Sequence, residues 1–139
     1  MSAITVACAM IVWCRKLLIA QRKPGSRFGG YWEFPGGKPH LGEKMEDCLI
    51  REVYEELGIW ILPKVFFGRS DQVYSEKEVA LYFYLCVWLN GYPTRKDCLN
   101  FAWVLPPELR RYRFMPGDQT IINELIRKKT YYFSILNQA

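Results

Sequence analysis

Three glutamates stand close together near the middle of the chain. Glu55 lies three positions after Glu52, and Glu56 follows it directly. A helix turns by about 100° per residue, so in a helix their side chains would project within roughly 100° of one another. Carboxylates at this spacing repel each other and weaken a helix. Divalent cations such as Mg²⁺ or Mn²⁺ would relieve the repulsion, because they take oxygen ligands and share them with phosphate groups.

The surrounding residues predict the helix that would carry these glutamates. Between residues 45 and 57, leucine or valine recurs every four residues, and Gly58 follows as a C-terminal stop. These apolar residues fall beside the acidic arc and not on it. A purely solvated acidic face is the alternative. Against it, Arg51 can pair with a neighbouring acid, and the glycine-containing loop before the helix can add a backbone carbonyl ligand.

Charge is distributed unevenly along the chain. The formal net charge is +5, yet residues 43–56 hold six of the 14 acidic residues and two of the 19 basic ones. A concentrated acidic patch in a basic protein is typical of a site that binds cations in order to act on an anion. We see no extended basic and aromatic track for a strand, so a nucleic acid polymer is not expected as a partner.

Length and composition restrict the class of protein. A chain of 139 residues, half of them hydrophobic, predicts one folded domain over residues 1–139 and excludes a disordered protein. Five scattered cysteines and one histidine do not predict a zinc site, and we expect reduced thiols in a cytoplasmic protein. The apolar run 3–13 is too short to span a bilayer and lacks a charged leader, so no membrane association is expected.

The remaining periodicity predicts an α+β fold, because strands and helices do not alternate regularly. The predicted strands cover 3–13, 17–21, 32–34, 65–73, 79–89 and 101–105, and the predicted helices cover 45–57 and 118–128. The strand 79–89 is nearly all apolar, which is typical of a central position in a sheet. The aromatic tail 131–133 is expected to pack on the sheet, with a subunit contact as the alternative.

The acidic helix and the loop before it resemble a known family. Nine residues at fixed spacing carry the resemblance: Gly37, Glu43, Arg51, Glu52, Val53, Glu55, Glu56, Gly58 and Ile59. Together they are similar to the full signature of the Nudix hydrolases, and every specified position matches. Residues 18–22 and 29–38 resemble the MutT-like subgroup, whose members remove oxidised nucleotides. The resemblance implies the Nudix fold, a mixed β-sheet sandwiched between helices.

The resemblance also implies an activity and a set of ligands. MutT-like enzymes hydrolyse a nucleoside triphosphate to the monophosphate and pyrophosphate, by attack of water on the β-phosphorus. The matching positions make Glu52, Glu55 and Glu56 the carboxylates that bind Mg²⁺, for which Mn²⁺ can substitute, with the carbonyl of Gly36 as a further ligand. Glu52 is expected to activate the water. Lys38 is expected to hold a phosphate, with an ordinary exposed lysine as the alternative.

One more catalytic carboxylate is expected outside the helix. The subgroup commonly supplies it from a loop after the long central strand, six residues before the position of Trp103, which is Asp97 here. The family residue is usually Glu, so Asp97 has a shorter reach. A plain loop acid beside Arg95 and Lys96 is the alternative.

The resemblance places recognition of the base on Arg22, Phe34 and Asp118. Phe34 is expected to stack on a purine, and Arg22 to cover its other side or reach its carbonyl edge. Asp118 is expected to meet the Watson–Crick edge, with a helix N-cap as the alternative. The best-known bacterial members have Asn at that position, which donates and accepts, whereas an ionised Asp only accepts.

The substrate class follows from these positions as an expectation. An oxidised purine such as 8-oxo-dGTP is the leading substrate, and CTP or a modified pyrimidine triphosphate is the alternative that Asp118 raises. Removal of pyrophosphate from RNA 5′ ends and a non-catalytic nucleotide-sensing module are further alternatives, the last opposed by the intact signature. A monomer or weak dimer is expected.

Overall fold

A seven-stranded mixed β-sheet organises the computed structural model, which describes residues 3–138 apart from the side chains of residues 129, 130, 135, 137 and 138. The strands are β1 (Ile4–Trp13), β2 (Lys16–Gln21), β3 (Trp32–Glu33), β4 (Gly36–Gly37), β5 (Trp60–Tyr74), β6 (Lys77–Asn90) and β7 (Asn100–Val104). The helices are α1 (Met45–Leu57) and α2 (Gln119–Gln138), with 3₁₀ turns at Pro106–Arg111 and Pro116–Asp118.

Strand β1 is the centre of the sheet because its neighbours cover both of its edges. It runs parallel to β6 and antiparallel to β2 and β4. Strand β5 continues the sheet beyond β6, while β3 and β7 pair with β2. Residues 7–11 of β1 are all buried, so the strand is apolar on both faces, as expected for a strand covered on each side.

The two helices cover opposite faces of the sheet, and each face has its own core. Leu49, Val53 and Leu57 of α1 pack in the core that contains Ala7 and Ala9 of β1. The core on the α2 side contains Met10, Phe83, Ile121, Ile122 and Leu125. The alternation of β1 side chains between the two cores fixes its register, since a shift by one residue would exchange them. The predicted sandwich of a mixed sheet between helices is confirmed.

The predicted helix bounds are correct for α1 and too short for α2. Helix α1 ends at Gly58, whose φ of 72° is left-handed and whose N–H donates to the Tyr54 carbonyl at 2.9 Å. Helix α2 continues to Gln138 past an irregular residue at Lys128. Its extension carries the aromatic tail onto the core, where Phe133 is buried and Tyr132 lies 4.5 Å from Phe67 between ring centroids. Packing of the tail is therefore confirmed for these two side chains.

Strands β5 and β6 are longer than predicted at both ends. They form a hairpin whose turn is Ser75-Glu76, both with positive φ. Residues 60–64 mix exposed, polar and proline positions, which obscured the strand pattern, and the β5 register shifts near Pro63 and Gly68. The long hairpin matters for the site because its tip reaches the segment before α2.

In the described part of the chain, no helix is long and apolar enough to cross a membrane.

Replacing Gly36 by alanine is expected to destabilise the fold. The added methyl group would collide with the backbone of Ala7 on β1, and overpacking of this kind costs about 1–3 kcal/mol. Gly68→Ala on β5 is a matched control, because its methyl group would meet only Cδ1 of Ile121 at 3.4 Å. Urea denaturation should show the larger loss of unfolding free energy in Gly36→Ala. Equal stability of the two variants would contradict the close approach of β4 to β1.

Candidate active site

Two glycines let strand β4 fit between β1 and α1. Gly36 and Gly37 pair with Cys8 and Ala7 of β1, and a Cβ on Gly36 would collide with the Ala7 carbonyl. On the other side, a Cβ on Gly37 would collide with the carboxylate of Glu52. The absence of side chains therefore brings the backbone of this turn directly against the acidic face of α1.

Arg51 connects the acidic helix to the loop before it. Its Nε and Nη2 donate to the two oxygens of Glu43 at 3.0 and 2.8 Å, in a bidentate pair. Its Nη1 donates to Glu52 at 2.9 Å and lies 3.5 Å from Glu55. Its Nη2 also reaches the Lys38 carbonyl at 3.2 Å. One guanidinium thus holds the loop and two of the three predicted metal-binding glutamates in a fixed arrangement.

Glu43 anchors this loop through its charge. The hydrogen bonds from Arg51, followed by the His40 backbone N–H at 2.9 Å, lower the pKa of Glu43 to about 2. The carboxylate is therefore ionised at neutral pH, and its pairing with Arg51 joins the loop to α1.

The third helix glutamate lies in a different environment. Burial raises the pKa of Glu56 well above its ordinary value, and the nearby carboxylates of Glu33 and Glu52 raise it further. Asp97 is brought next to Glu56 by the backbone, because its N–H donates to the Glu56 carbonyl at 3.0 Å. The Asp97 side chain itself pairs with Lys23 at 2.7 Å. The structure therefore places Asp97 at the C-terminal end of α1, and its catalytic role stays a prediction.

The donor set of this region fits a hard divalent cation. The helix glutamates and the carbonyl of Gly36 supply oxygen ligands, and the crowding of carboxylates that raises the pKa of Glu56 is the kind that a cation relieves. Among the described residues, no three His, Cys, Asp or Glu side chains converge closely enough to hold one ion. Glu52 and Glu55 are both in contact with Arg51, at 2.9 and 3.5 Å.

A cavity of about 430 Å³ opens beside this acidic region. Its walls come from β1, the segment from β2 to β4, α1, the β5–β6 hairpin and the segment before α2: Ile4, Val6, Ala7, Cys8, Arg22, Arg27, Phe28, Glu33, Phe34, Gly36, Gly37, Lys38, Glu56, Tyr74, Lys77, Val79, Leu81, Met115 and Asp118. Its size is suited to a nucleotide-sized ligand. The predicted base-binding residues Arg22, Phe34 and Asp118 all line it. Lys38, Gly36 and Glu56 also line it, whereas Glu52, Glu55 and Asp97 do not.

Asp118 is the one buried acid in the described core, with 4% of its surface exposed. Its backbone N–H donates to the Met115 carbonyl at 3.0 Å, and α2 begins at the next residue, so Asp118 stands directly before the helix, at the position of an N-cap. Burial, with a smaller contribution from Glu33, raises the pKa of Asp118 well above its ordinary value. The protonated form, which donates as well as accepts a hydrogen bond, is favoured.

Arg22 and Phe34 are more engaged with the protein than predicted. Arg22 donates through Nη1 to Glu33 at 3.0 Å and through Nε to the Arg27 carbonyl at 2.8 Å. Phe34 is only 3% exposed, and its ring lies against Phe83 and Phe114 with centroids 6.0 and 5.3 Å away. Both line the cavity, yet most of the Phe34 ring is already covered.

Sequence reasoning missed several residues of the cavity wall. Glu33 stands in the segment that resembles the MutT-like subgroup, and alternation along β3 gives a signal that it faces away from Trp32. Cys8 lies on the buried strand, where burial raises the pKa of its thiol. Tyr74 and Phe28 reach the cavity through the β5–β6 hairpin and the β2–β3 loop, and the sequence does not show that these segments meet.

Replacing Glu43 by glutamine is expected to lower stability in a pH-dependent way. A carboxyl whose pKa is lower in the folded state stabilises the fold above its unfolded pKa and loses that contribution as the pH falls through the folded value. The folded pKa is about 2, against an ordinary value of 4.5. The difference in melting temperature between variant and wild type should therefore have its full size above about pH 5 and should decrease as the pH falls from 4.5 to 2. Glu78→Gln, at an exposed position on β6, is the control. A pH-independent difference would contradict the ionic role of Glu43.

Comparison with known proteins agrees with this geometry. A relative from Buchnera aphidicola named 8-oxo-dGTP diphosphatase is 36% identical over 94 residues, which cover 68% of this chain and 76% of that protein. A relative from Escherichia coli named CTP pyrophosphohydrolase is 30% identical over 118 residues, covering 85% of this chain and 87% of that protein.

A solved structure and a family model extend the comparison to the fold. The solution structure of the Escherichia coli ORF135 protein superposes with a TM-score of 0.83 at 28% identity, and covers 93% of this chain and 92% of that chain. The model of the NUDIX domain matches residues 7–124. This match spans well over half of the chain and contains β4 and all of α1. The chain therefore belongs to the NUDIX domain family, and it is a Nudix hydrolase.

Proposed function

We propose that this protein hydrolyses nucleoside triphosphates to the monophosphate and pyrophosphate with Mg²⁺, or Mn²⁺ in its place, and that 8-oxo-dGTP is its preferred substrate. One observation carries the proposal. A single cavity borders Gly36 and Glu56, at the acidic helix, and also the buried side chain of Asp118. A triphosphate and a base can therefore be bound together. The relative named 8-oxo-dGTP diphosphatase supports this choice of substrate.

The acidic end of the cavity supplies the proposed ligands of the metal. Glu52, Glu55, Glu56 and the Gly36 carbonyl would hold Mg²⁺, which supplies charge neutralisation for the triphosphate and lowers the pKa of water. Lys38, at the cavity wall, offers a positive charge to a phosphate oxygen. The ligands and Lys38 together would orient the β-phosphorus towards the attacking water.

The reaction transfers the pyrophosphoryl group, which holds the β- and γ-phosphorus atoms, to water. The water oxygen bonds to the β-phosphorus while the bond from that phosphorus to the α,β-bridging oxygen breaks, so the monophosphate keeps the bridging oxygen. Glu52 is the proposed acceptor of the water proton, because Arg51 orients its carboxylate against the glycine turn. Asp97, held beside Glu56 by the backbone, is proposed to assist this step once it leaves Lys23.

Asp118 is proposed to select the base. In its protonated form it presents one donor and one acceptor, as the Asn of the best-known bacterial members does, and the expectation that it only accepts applies to the ionised form. Glu33, held by Arg22, adds an acceptor nearby. An oxidised purine offers both N–H donors and carbonyl acceptors at its edges, which this pair can meet.

A second candidate is hydrolysis of CTP or of a modified pyrimidine triphosphate. Two carboxyl groups at the base end favour amino groups on the base, and cytosine presents such a group. The relative named CTP pyrophosphohydrolase supports this alternative. Release of pyrophosphate from a panel of ordinary and oxidised nucleotides with Mg²⁺ tests both candidates. We place the enzyme in the cytoplasm, where its free thiols would remain reduced.

Glu56→Gln is expected to reduce turnover by at least about a hundredfold while the fold remains. Glutamine keeps the shape and removes a charge from the proposed metal site. Because the folded protein raises the pKa of Glu56, ionising it at neutral pH lowers stability, so the metal-free variant should melt at the same temperature or higher. Glu46→Gln, at an exposed position in the first turn of α1, is the matched control. Near-normal turnover of Glu56→Gln would refute its role.

Asp118→Ala and Asp118→Asn separate recognition of the base from support of the fold. A lost hydrogen bond to the base costs about 1–3 kcal/mol, so alanine should lower kcat/KM for the preferred nucleotide by roughly ten- to a hundredfold relative to a poor one. Asparagine cannot ionise, so it should reproduce the preference that the wild type shows while Asp118 is protonated. It should also abolish any change of preference that the wild type shows as rising pH ionises Asp118. An identical substrate profile for wild type and alanine variant would remove Asp118 from the base site.

A further inference from the structure

The loop between β2 and β3 is closed on itself by backbone hydrogen bonds. The N–H of Arg22 donates to the Tyr31 carbonyl at 2.8 Å, and the N–H of Gly30 donates to the Arg22 carbonyl at 2.9 Å. Within the loop, the N–H of Tyr31 donates to the Phe28 carbonyl at 3.1 Å. These bonds hold residue 28 in a defined position at the cavity wall.

Phe28 adopts a backbone conformation that its residue type disfavours. Its φ is 57°, in the left-handed region that favours glycine, although the same loop contains Gly25, Gly29 and Gly30. A bulky side chain in this region is strained, and such strain persists where the surroundings hold it. An aromatic residue therefore occupies a backbone conformation that glycine would adopt with less strain.

The Phe28 ring connects the two sides of the cavity. Its centroid lies 5.6 Å from Tyr31, in its own loop, and 5.6 Å from Tyr74 at the end of β5. The hydroxyl of Tyr74 accepts the Gly117 N–H at 3.1 Å, next to Asp118. Phe28 therefore contacts the element that fixes the position of Asp118.

Arg22 holds the same loop from the opposite side. One guanidinium donates both to the Arg27 carbonyl, directly before Phe28, and to the carboxylate of Glu33. The position of the Phe28 ring is thereby tied to the acid at the cavity wall. The Phe28 side chain is half-buried and borders the cavity. The Phe34 ring, in contrast, is covered by Phe83 and Phe114.

We propose that Phe28 is the aromatic wall that packs against the nucleobase, and that Arg22 is a positioning residue that holds this wall. The inference rests on the proposed function, because it assigns a specificity contact for the same nucleotide. It changes the expected roles of two residues: stacking moves from Phe34 to Phe28, and Arg22 acts through the loop.

Steady-state kinetics of Phe28→Ala test the wall. Loss of an aromatic contact to a base should raise KM for the preferred nucleoside triphosphate by roughly tenfold with little change in kcat. Inhibition by inorganic tripolyphosphate, which has no base, should be unchanged. Phe28→Tyr keeps the ring and should resemble wild type. Phe66→Ala, which deletes a 51% exposed aromatic elsewhere on β5, is the matched control and should change neither value.

The role of Arg22 is tested by combining variants. Arg22→Met should raise KM in the wild-type background and add little in the Phe28→Ala background, because both act on one contact. Fully additive effects would overturn the positioning role. An unchanged KM in Phe28→Ala, or an equal loss of inhibition by tripolyphosphate, would refute the proposal that Phe28 packs against the base.

The two proposals fail in different ways. If wild type releases no pyrophosphate from any nucleotide, the proposed function fails. The wall is then judged by calorimetric binding of nucleoside monophosphates, in which Phe28→Ala should weaken binding by a similar factor and unchanged binding would overturn it. If wild type is active and the alanine variant matches it for every nucleotide, only the wall is refuted.

Discussion

The contact of the Gly36-Gly37 turn with both β1 and α1 is the constraint on which the rest of the structure depends. No side chain fits at Gly36, because the Ala7 backbone occupies that space, and a side chain at Gly37 would displace the Glu52 carboxylate. The turn therefore fixes the distance between the sheet and the acidic face of the helix. It also places the Gly36 backbone in the wall of the cavity beside Glu56. Any shift of α1 along the sheet would disturb the turn and the carboxylates together.

This arrangement concentrates negative charge that the protein only partly neutralises. Arg51 compensates Glu43 and Glu52, and Lys23 compensates Asp97, but no ion pair within the described part of the chain involves Glu56 or Asp118. Burial of an acid without a cationic partner favours its protonated form and lowers stability at neutral pH. A fold that tolerates this at two acids facing one cavity is suited to a ligand that supplies the missing cation and hydrogen-bonding groups.

Prediction from the sequence succeeded where the determinants are local. The span of α1 and its end at Gly58 follow from a four-residue apolar period and one left-handed glycine. The long β5–β6 hairpin was underestimated because Pro63 and the exposed positions beside it interrupt the strand pattern. The walls of the cavity at Phe28 and Tyr74 depend on contacts between distant segments. Such contacts leave no period in the sequence, so only the folded chain reveals them.

Asp118 shows why residue type alone does not define a recognition group. In water an aspartate is an acceptor, and from the sequence it differs from the asparagine of related enzymes by the loss of a donor. At 4% exposure and beside Glu33, the same side chain favours its protonated form and regains that donor. The hydrogen-bonding pattern offered to a base is therefore set by the dielectric and charge of the cavity as much as by the side chain. It follows that an aspartate and an asparagine here can select the same base while the carboxyl group is protonated, and that the two diverge where it ionises.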